Sequence, residues 1–233
     1  PLLRHAAEGH GAQAAVAQRQ RFDPGAGGAF VPEAVGVVGL GGATADGKAI
    51  ILVAATKDLV EKGFKSMMAK SPRLGVPVGG IRKFIAIGLN YADHAAEAGL
   101  PLPAEPVVFT KAISCLSGAN DPVMLPKESK KGDWEVELGI FIGRTARYVS
   151  EAEALDYVAG YALVNDVSER ELQMERGGTW DKGKGFDTAG PVGPWLVTSD
   201  EVGDPQALGM WLDVNGDRMQ TGNTRTMIFN VRQ

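Results

Sequence analysis

The shortness of the apolar segments is the feature that most constrains how this chain can fold. The longest uninterrupted apolar run covers seven residues, 49–55, and 31 glycines and 13 prolines divide the 233-residue chain into similarly short segments. Short apolar runs bounded by glycine and proline are typical of β-strands joined by tight turns. A membrane-spanning helix needs about 20 apolar residues, so none is predicted. We therefore expect an α+β fold that is mainly β.

Composition and charge argue against several classes of protein. The net charge is −4, whereas proteins that bind nucleic-acid backbones usually carry clustered basic residues. Cys115 is the only cysteine, so the chain has neither a disulfide framework nor a thiolate zinc cluster. The first residues lack the apolar stretch of a secretory signal. We expect a cytoplasmic protein without nucleic-acid or membrane partners.

Turn-forming residues divide the chain into two predicted domains. Residues 71–80 are rich in proline and glycine and are predicted to be a linker. Residues 1–70 are predicted to form a small N-terminal α/β domain, with strands at 35–40 and 49–55 and a helix at 57–70. Residues 81–233 are predicted to form the larger, β-rich domain. Its expected strands are 83–88, 106–110, 134–143, 161–166, 191–197 and 210–214, and Asn215–Gly216 predicts a hairpin turn after the last of them.

A glycine-rich stretch at 37–47 partly resembles a dinucleotide-binding motif. Gly39 and Gly41 fit the first two glycine positions, but Thr44 stands at the third. The segment that follows is typical of a strand, whereas the motif requires a helix N-terminus to hold the pyrophosphate. The pattern favours a plain hairpin.

Three acidic residues are candidate metal ligands. Side chains alternate along a strand, so Glu135 and Glu137 should share one face of strand 134–143. Asp166 ends another apolar run. Converging carboxylates suit a hard cation such as Mg²⁺, Mn²⁺ or Ca²⁺. Because the glutamates could instead lie on a solvated outer face, the spacing alone leaves both interpretations open.

Two further motifs carry candidate catalytic side chains. His94 and Glu97 are spaced three apart, so on a helix the carboxylate could orient the imidazole, or the two could form a surface ion pair. Lys184 lies between glycines that would let the backbone approach a ligand, and the alternative is a mobile basic loop.

Taken together, these segments resemble the fumarylacetoacetate hydrolase family. The matching segments are GLNYADHAAE (88–97), EPVVFTK (105–111), GDWEVELGIFIG (132–143), GYALVNDVSERE (160–171), KGKGFDTAGPVGPW (182–195) and NGDRMQTGNTRTMIFN (215–230). The resemblance implies a β-roll of mixed sheets with short helices, assembled as a homodimer. The positions that match the family's functional residues are Glu135, Glu137 and Asp166 for magnesium or manganese, His94 and Glu97 for the catalytic pair, and Lys184 and Thr188 for the substrate, with Lys184 also catalytic.

The same resemblance implies an activity. The motifs are most similar to those of the branch that hydrolyses a carbon–carbon bond of acylpyruvates or 2,4-diketo-3-deoxy sugar acids to release pyruvate. The alternatives are oxaloacetate decarboxylation, isomerisation or hydration at the same site, and a catalytically silent binding protein. Leu89 and Gly185 stand where family members often carry Arg and Ser, and the sequence stops before the family's C-terminal strands.

Overall fold

The described residues form a mainly β structure. The computed structural model describes residues 73–233 in full and, before them, the backbone of four strands at 15–23, 29–31, 42–43 and 49–50. Short strands in mixed sheets, with few and short helices, confirm the predicted fold class. Within this described part of the chain, no helix is long and apolar enough to cross a membrane.

The strands in chain order are β1 (Ala15–Asp23), β2 (Ala29–Val31), β3 (Gly42–Ala43), β4 (Ala49–Ile50), β5 (Ile85–Gly88), β6 (Val107–Thr110), β7 (Leu116–Gly118), β8 (Gly132–Asp133), β9 (Val136–Ile142), β10 (Val158–Asn165), β11 (Ser168–Glu169), β12 (Gly190–Val192), β13 (Val197–Thr198), β14 (Gly209–Val214) and β15 (Asp217–Asn223). The α-helices are α1 (Ala92–Glu97), α2 (Asp181–Lys184) and α3 (Ser199–Val202). Glu171–Glu175 forms a π-helix, and Ile113–Cys115, Ala154–Tyr157 and Thr224–Thr226 form 3₁₀ turns.

The central sheet is built around β10. This strand pairs antiparallel with β9, β12 and β13, and β7 adds to β12 in parallel. The predicted strand at 191–197 is interrupted, because it forms the separate strands β12 and β13. Gly193 between them has φ 119°, and Pro194 lacks the N–H that a ladder needs.

A second sheet has the order β15-β14-β1-β2. β14 and β15 form an antiparallel hairpin, while β1 joins β14 in parallel. Asn215 and Gly216 have φ values of 54° and 94°, which is the backbone that a two-residue turn requires. The hairpin predicted from this dipeptide is confirmed.

The smaller sheets are the pairs β5–β6, β8–β11 and β3–β4. β3 and β4 pair antiparallel, as the hairpin interpretation of the glycine-rich stretch predicts. The expected strand at 35–40 and the helix at 57–70 lie outside the described residues, as does most of the predicted strand at 49–55. The domain division at 71–80 therefore stays a prediction.

The two faces of the β9–β10 pair bury different clusters. Val136 packs with Met210, Leu212 and Val214 of β14, and Trp134 and Leu138 join this cluster. On the other face, Val164 and Ala162 of β10 pack with Val192, Phe84 and Phe141. Since both faces are covered, a charged side chain within this pair needs a partner inside the protein.

Candidate active site

The β9–β10 pairing brings the three predicted metal ligands together. Glu137 lies opposite Val164, and the Asp166 N–H donates to the Glu135 carbonyl at 2.9 Å. Directly opposed residues and residues two apart share a face of an antiparallel pair. Glu135, Glu137 and Asp166 therefore share one face, opposite Val136.

These carboxylates are not on a solvated face. The side chains of Glu135 and Asp166 are 14% and 8% exposed. Burial raises the pKa of Glu137 well above its ordinary value, and the nearby charges of Glu135 and Asp166 raise it further. The interpretation of Glu135 and Glu137 as freely exposed acids is therefore wrong.

Lys184 compensates two of these charges. It ends α2, its side chain is 3% exposed, and its Nζ lies 2.8 Å from both Glu135 Oε2 and Asp166 Oδ2. The structure thus places one of the predicted catalytic residues in contact with two of the predicted metal ligands. The alternative interpretation, a basic loop, is wrong, because Lys184 lies at the end of a short helix.

Lys111 is a second buried ammonium that the sequence interpretation missed. Its side chain is 1% exposed, and Nζ donates to Asp166 Oδ1 at 2.6 Å, to the Lys184 carbonyl, and to the Val167 carbonyl at 3.4 Å. Burial opposes ionisation of Asp166, but the charges and hydrogen bonds of Lys111 and Lys184 outweigh it and lower the pKa of Asp166. A lysine directly after the apolar strand β6 was the available signal.

Arg170 forms an ion pair with the carboxylate oxygen of Glu135 that Lys184 does not contact. Its guanidinium lies 2.6 Å from Glu135 Oε1, and it donates to Asp133 Oδ2 at 2.9 and 2.7 Å and to Gln173 Oε1 at 2.9 Å. Each oxygen of Glu135 therefore has its own cation. The sequence interpretation gave Arg170 no role, because nothing in its spacing marks the partner.

The glycines around Lys184 permit close packing within the protein. A Cβ on Gly183 would lie 2.5 Å from both the Glu169 carbonyl oxygen and the Gln173 nitrogen, and one on Gly185 would lie 2.8 Å from the Asp181 carbonyl oxygen. These glycines therefore let α2 approach the chain around the π-helix. The expectation that they also let the backbone approach a ligand stays a prediction.

Gly183→Ala should therefore destabilise the protein by about 1–3 kcal/mol, because the contacted atoms are backbone and Cβ atoms that cannot rotate away. Urea denaturation measures the change. Gly222→Ala is the control, since its added Cβ meets nothing within 4 Å. Equal stability of the two variants would contradict the packing role of Gly183.

Tyr91 approaches the carboxylates from the start of α1. Its ring packs against the cluster around Val136, and its hydroxyl lies beside the Glu137 carboxylate. Burial raises the pKa of Tyr91, and the charge of Glu137 raises it further. The contact between the Tyr91 hydroxyl and Glu137 falls short of a well-formed hydrogen bond, and among the described residues the Asn165 side-chain nitrogen has no hydrogen-bond partner. An unpaired buried donor costs about 1–3 kcal/mol.

The remaining predicted residues stand apart from these contacts. His94 and Glu97 are exposed on α1, and within residues 73–233 no ion pair joins them. Thr188 has φ 69°, rare for a β-branched residue, and its Oγ1 accepts the Met124 N–H at 2.8 Å. The roles of His94, Glu97 and Thr188 stay predictions.

The donor set fits a hard divalent cation. Within residues 73–233 no three His, Cys, Asp or Glu side chains are already close enough to hold a metal. However, oxygens of Glu135 and Asp166 converge on one cationic group, the Lys184 ammonium, and all three candidate ligands are carboxylates. The Tyr91 hydroxyl beside Glu137 provides further hydrogen-bonding capacity at these carboxylates.

Comparisons with known proteins find relatives of this chain in sequence and in fold. The fumarylacetoacetate (FAA) hydrolase C-terminal model matches residues 83–233. A Burkholderia ambifaria relative, provisionally named a hydrolase, is 66% identical over 167 residues, which are 72% of this chain and 59% of the relative. The chain therefore spans about three-fifths of the length of that relative.

Solved structures match the same fold. The 5-carboxymethyl-2-hydroxymuconate delta-isomerase from Mycobacterium smegmatis is 38% identical with a TM-score of 0.61, over 69% of this chain and 62% of that one. The 2-hydroxyhepta-2,4-diene-1,7-dioate isomerase from Mycobacterium marinum is 39% identical with a TM-score of 0.60, over 69% of this chain and 57% of that one.

Proposed function

The chain belongs to the fumarylacetoacetate hydrolase family, and from this premise we propose that it hydrolyses the C3–C4 bond of a 2,4-diketo acid and releases pyruvate. The observation that carries the proposal is the set of three carboxylates on one face with the Lys184 ammonium between two of them. With a divalent cation bound to the carboxylates, the cation and Lys184 would together supply positive charge to the oxygens of a 2-oxo acid as its enolate forms. An acylpyruvate or a 2,4-diketo-3-deoxy sugar acid has the required 2-oxo acid group.

Glu135, Glu137 and Asp166 would hold Mg²⁺ or Mn²⁺, which when bound supplies Lewis-acid polarisation of the 2-oxo group. Lys184 would supply a second positive charge to the developing enolate from its buried position. The Thr188 hydroxyl accepts a backbone N–H and keeps its own hydrogen, with which it would donate to the substrate.

His94 would act as the general base. It would take a proton from the water whose oxygen adds to C4, so that the C4 carbonyl electrons move onto its oxygen. Collapse of this adduct would reform the C4 carbonyl as a carboxylic acid and break C3–C4, and the proton held by His94 would pass to C3 of the resulting pyruvate enolate. Glu97, on the same side of α1, would orient the imidazole once the pair closes. The exposure of His94 gives this base direct access to water.

Isomerisation of an unsaturated 2-oxo acid is the second candidate. Two of the similar solved structures are named isomerases, and isomerisation uses enolate chemistry without an attacking water. The same carboxylate and lysine set would serve both reactions.

A substrate panel and one variant distinguish these candidates. Wild-type protein with Mn²⁺ should release pyruvate from a diketo acid, and His94→Ala should lower that rate by about 10²–10⁴-fold. Glu201→Gln, an exposed acid on α3, is the control and should keep full activity. Pyruvate release from oxaloacetate alone would indicate decarboxylation, and conversion without pyruvate would favour the isomerase.

Absence of any reaction, together with no thermal shift on adding Mg²⁺ and oxalate, would favour a catalytically silent protein, because a ligand that binds the folded state must stabilise it. A homodimer, expected from the family, remains part of the proposal and is checked by light scattering.

A further inference from the structure

Tyr91 is fixed in place by the chain on both sides of it. It forms an isolated antiparallel bridge with Met227, and the preceding Asn90 side chain exchanges hydrogen bonds with the Phe229 backbone at 2.9 and 2.8 Å. Its ring packs against the β9–β14 cluster. The direction of the hydroxyl is therefore set by backbone anchoring and by packing.

The hydroxyl is nevertheless poorly bonded. It is buried and lies beside Glu137, but its contact with this carboxylate falls short of a well-formed hydrogen bond. A buried donor held in so loose a contact adds little stability to the protein in this arrangement. A small rotation of the Glu137 carboxylate would give the hydroxyl a charged acceptor, and such bonds are stronger than neutral ones.

We propose that Tyr91 is a positioning residue for Glu137, and that its hydroxyl donates to this carboxylate when Glu137 turns to bind a divalent cation. The inference rests on the proposed function, since it takes Glu137 as a metal ligand. Groups that hydrogen-bond a metal-binding side chain orient it and tune its basicity. Tyr91 also immediately precedes α1, so it lies between Glu137 of β9 and the helix that carries His94.

Tyr91→Phe tests this role because it removes only the hydroxyl. Mn²⁺ affinity, measured by calorimetry and by electron paramagnetic resonance, should fall about 10–100-fold. The melting temperature of the metal-free variant should equal or exceed that of the wild type, because the hydroxyl that is lost makes no well-formed hydrogen bond. If the hydroxyl only stabilised the fold, Tyr91→Phe would leave the Mn²⁺ affinity unchanged and would lower the melting temperature of the metal-free protein.

Tyr161→Phe is the matched control, because Tyr161 is also buried and lies on β10. It should bind Mn²⁺ like the wild type. Unchanged Mn²⁺ affinity in Tyr91→Phe, or a lower melting temperature without metal, would overturn the inference while leaving the proposed function intact. A wild-type protein that binds no Mn²⁺ would overturn both.

Discussion

Replacing Asp166 with alanine is expected to lower the free energy of unfolding of the metal-free protein by about 3–5 kcal/mol, because the variant breaks a buried ion pair from one side. The Lys111 side chain is 1% exposed, and Asp166 is the only carboxylate with which it forms an ion pair in the described part of the chain. Lys184 keeps Glu135, but Lys111 keeps only two carbonyl oxygens. A buried ammonium without an anion is costly.

Urea denaturation of the metal-free protein measures this change. Asp217→Ala is the control, since this aspartate is exposed at the start of β15 and should change stability by less than about 0.5 kcal/mol. If Asp166→Ala were as stable as Asp217→Ala, the buried pair between Asp166 and Lys111 would not support the fold.

The second large effect is on metal binding. Glu135→Ala should abolish Mn²⁺ binding and pyruvate release together, because it removes a carboxylate ligand. It also leaves Lys184 and Arg170 with less negative charge around them, which further disfavours a cation. Calorimetric titration and a pyruvate assay check both parts.

Glu105→Ala is the matched control for this variant, because Glu105 is an exposed acid ahead of β6. It should bind Mn²⁺ and turn over substrate as the wild type does. Metal-dependent activity that persisted in Glu135→Ala would refute the assignment of Glu135 as a ligand.

Local periodicity accounts for the part of the site that the sequence could predict. Alternation along β9 put Glu135 and Glu137 on one face, and the turn preference of Asn215–Gly216 located the hairpin. Both features depend on near neighbours in the chain. The mainly β fold followed from the same short-range patterns.

Long-range packing accounts for what the sequence could not predict. Lys111 and Arg170 meet their carboxylates across 55 and 37 residues, and no periodicity reveals such pairs. The sequence also could not reveal that Gly183 packs against the backbone around the π-helix. Burial of Glu135 likewise depends on both sheet faces being covered, which the strand pattern alone left open.

Glu135, Glu137 and Asp166 are proposed to bind a divalent cation that receives a 2-oxo acid. Anomalous diffraction from crystals grown with Mn²⁺ and oxalate, a stable analogue of the 2-oxo acid group, tests this assignment most directly. We expect an anomalous peak bound by these three carboxylates, with oxalate on the metal. A peak elsewhere, or no peak, would refute the assignment of Glu135, Glu137 and Asp166 as ligands.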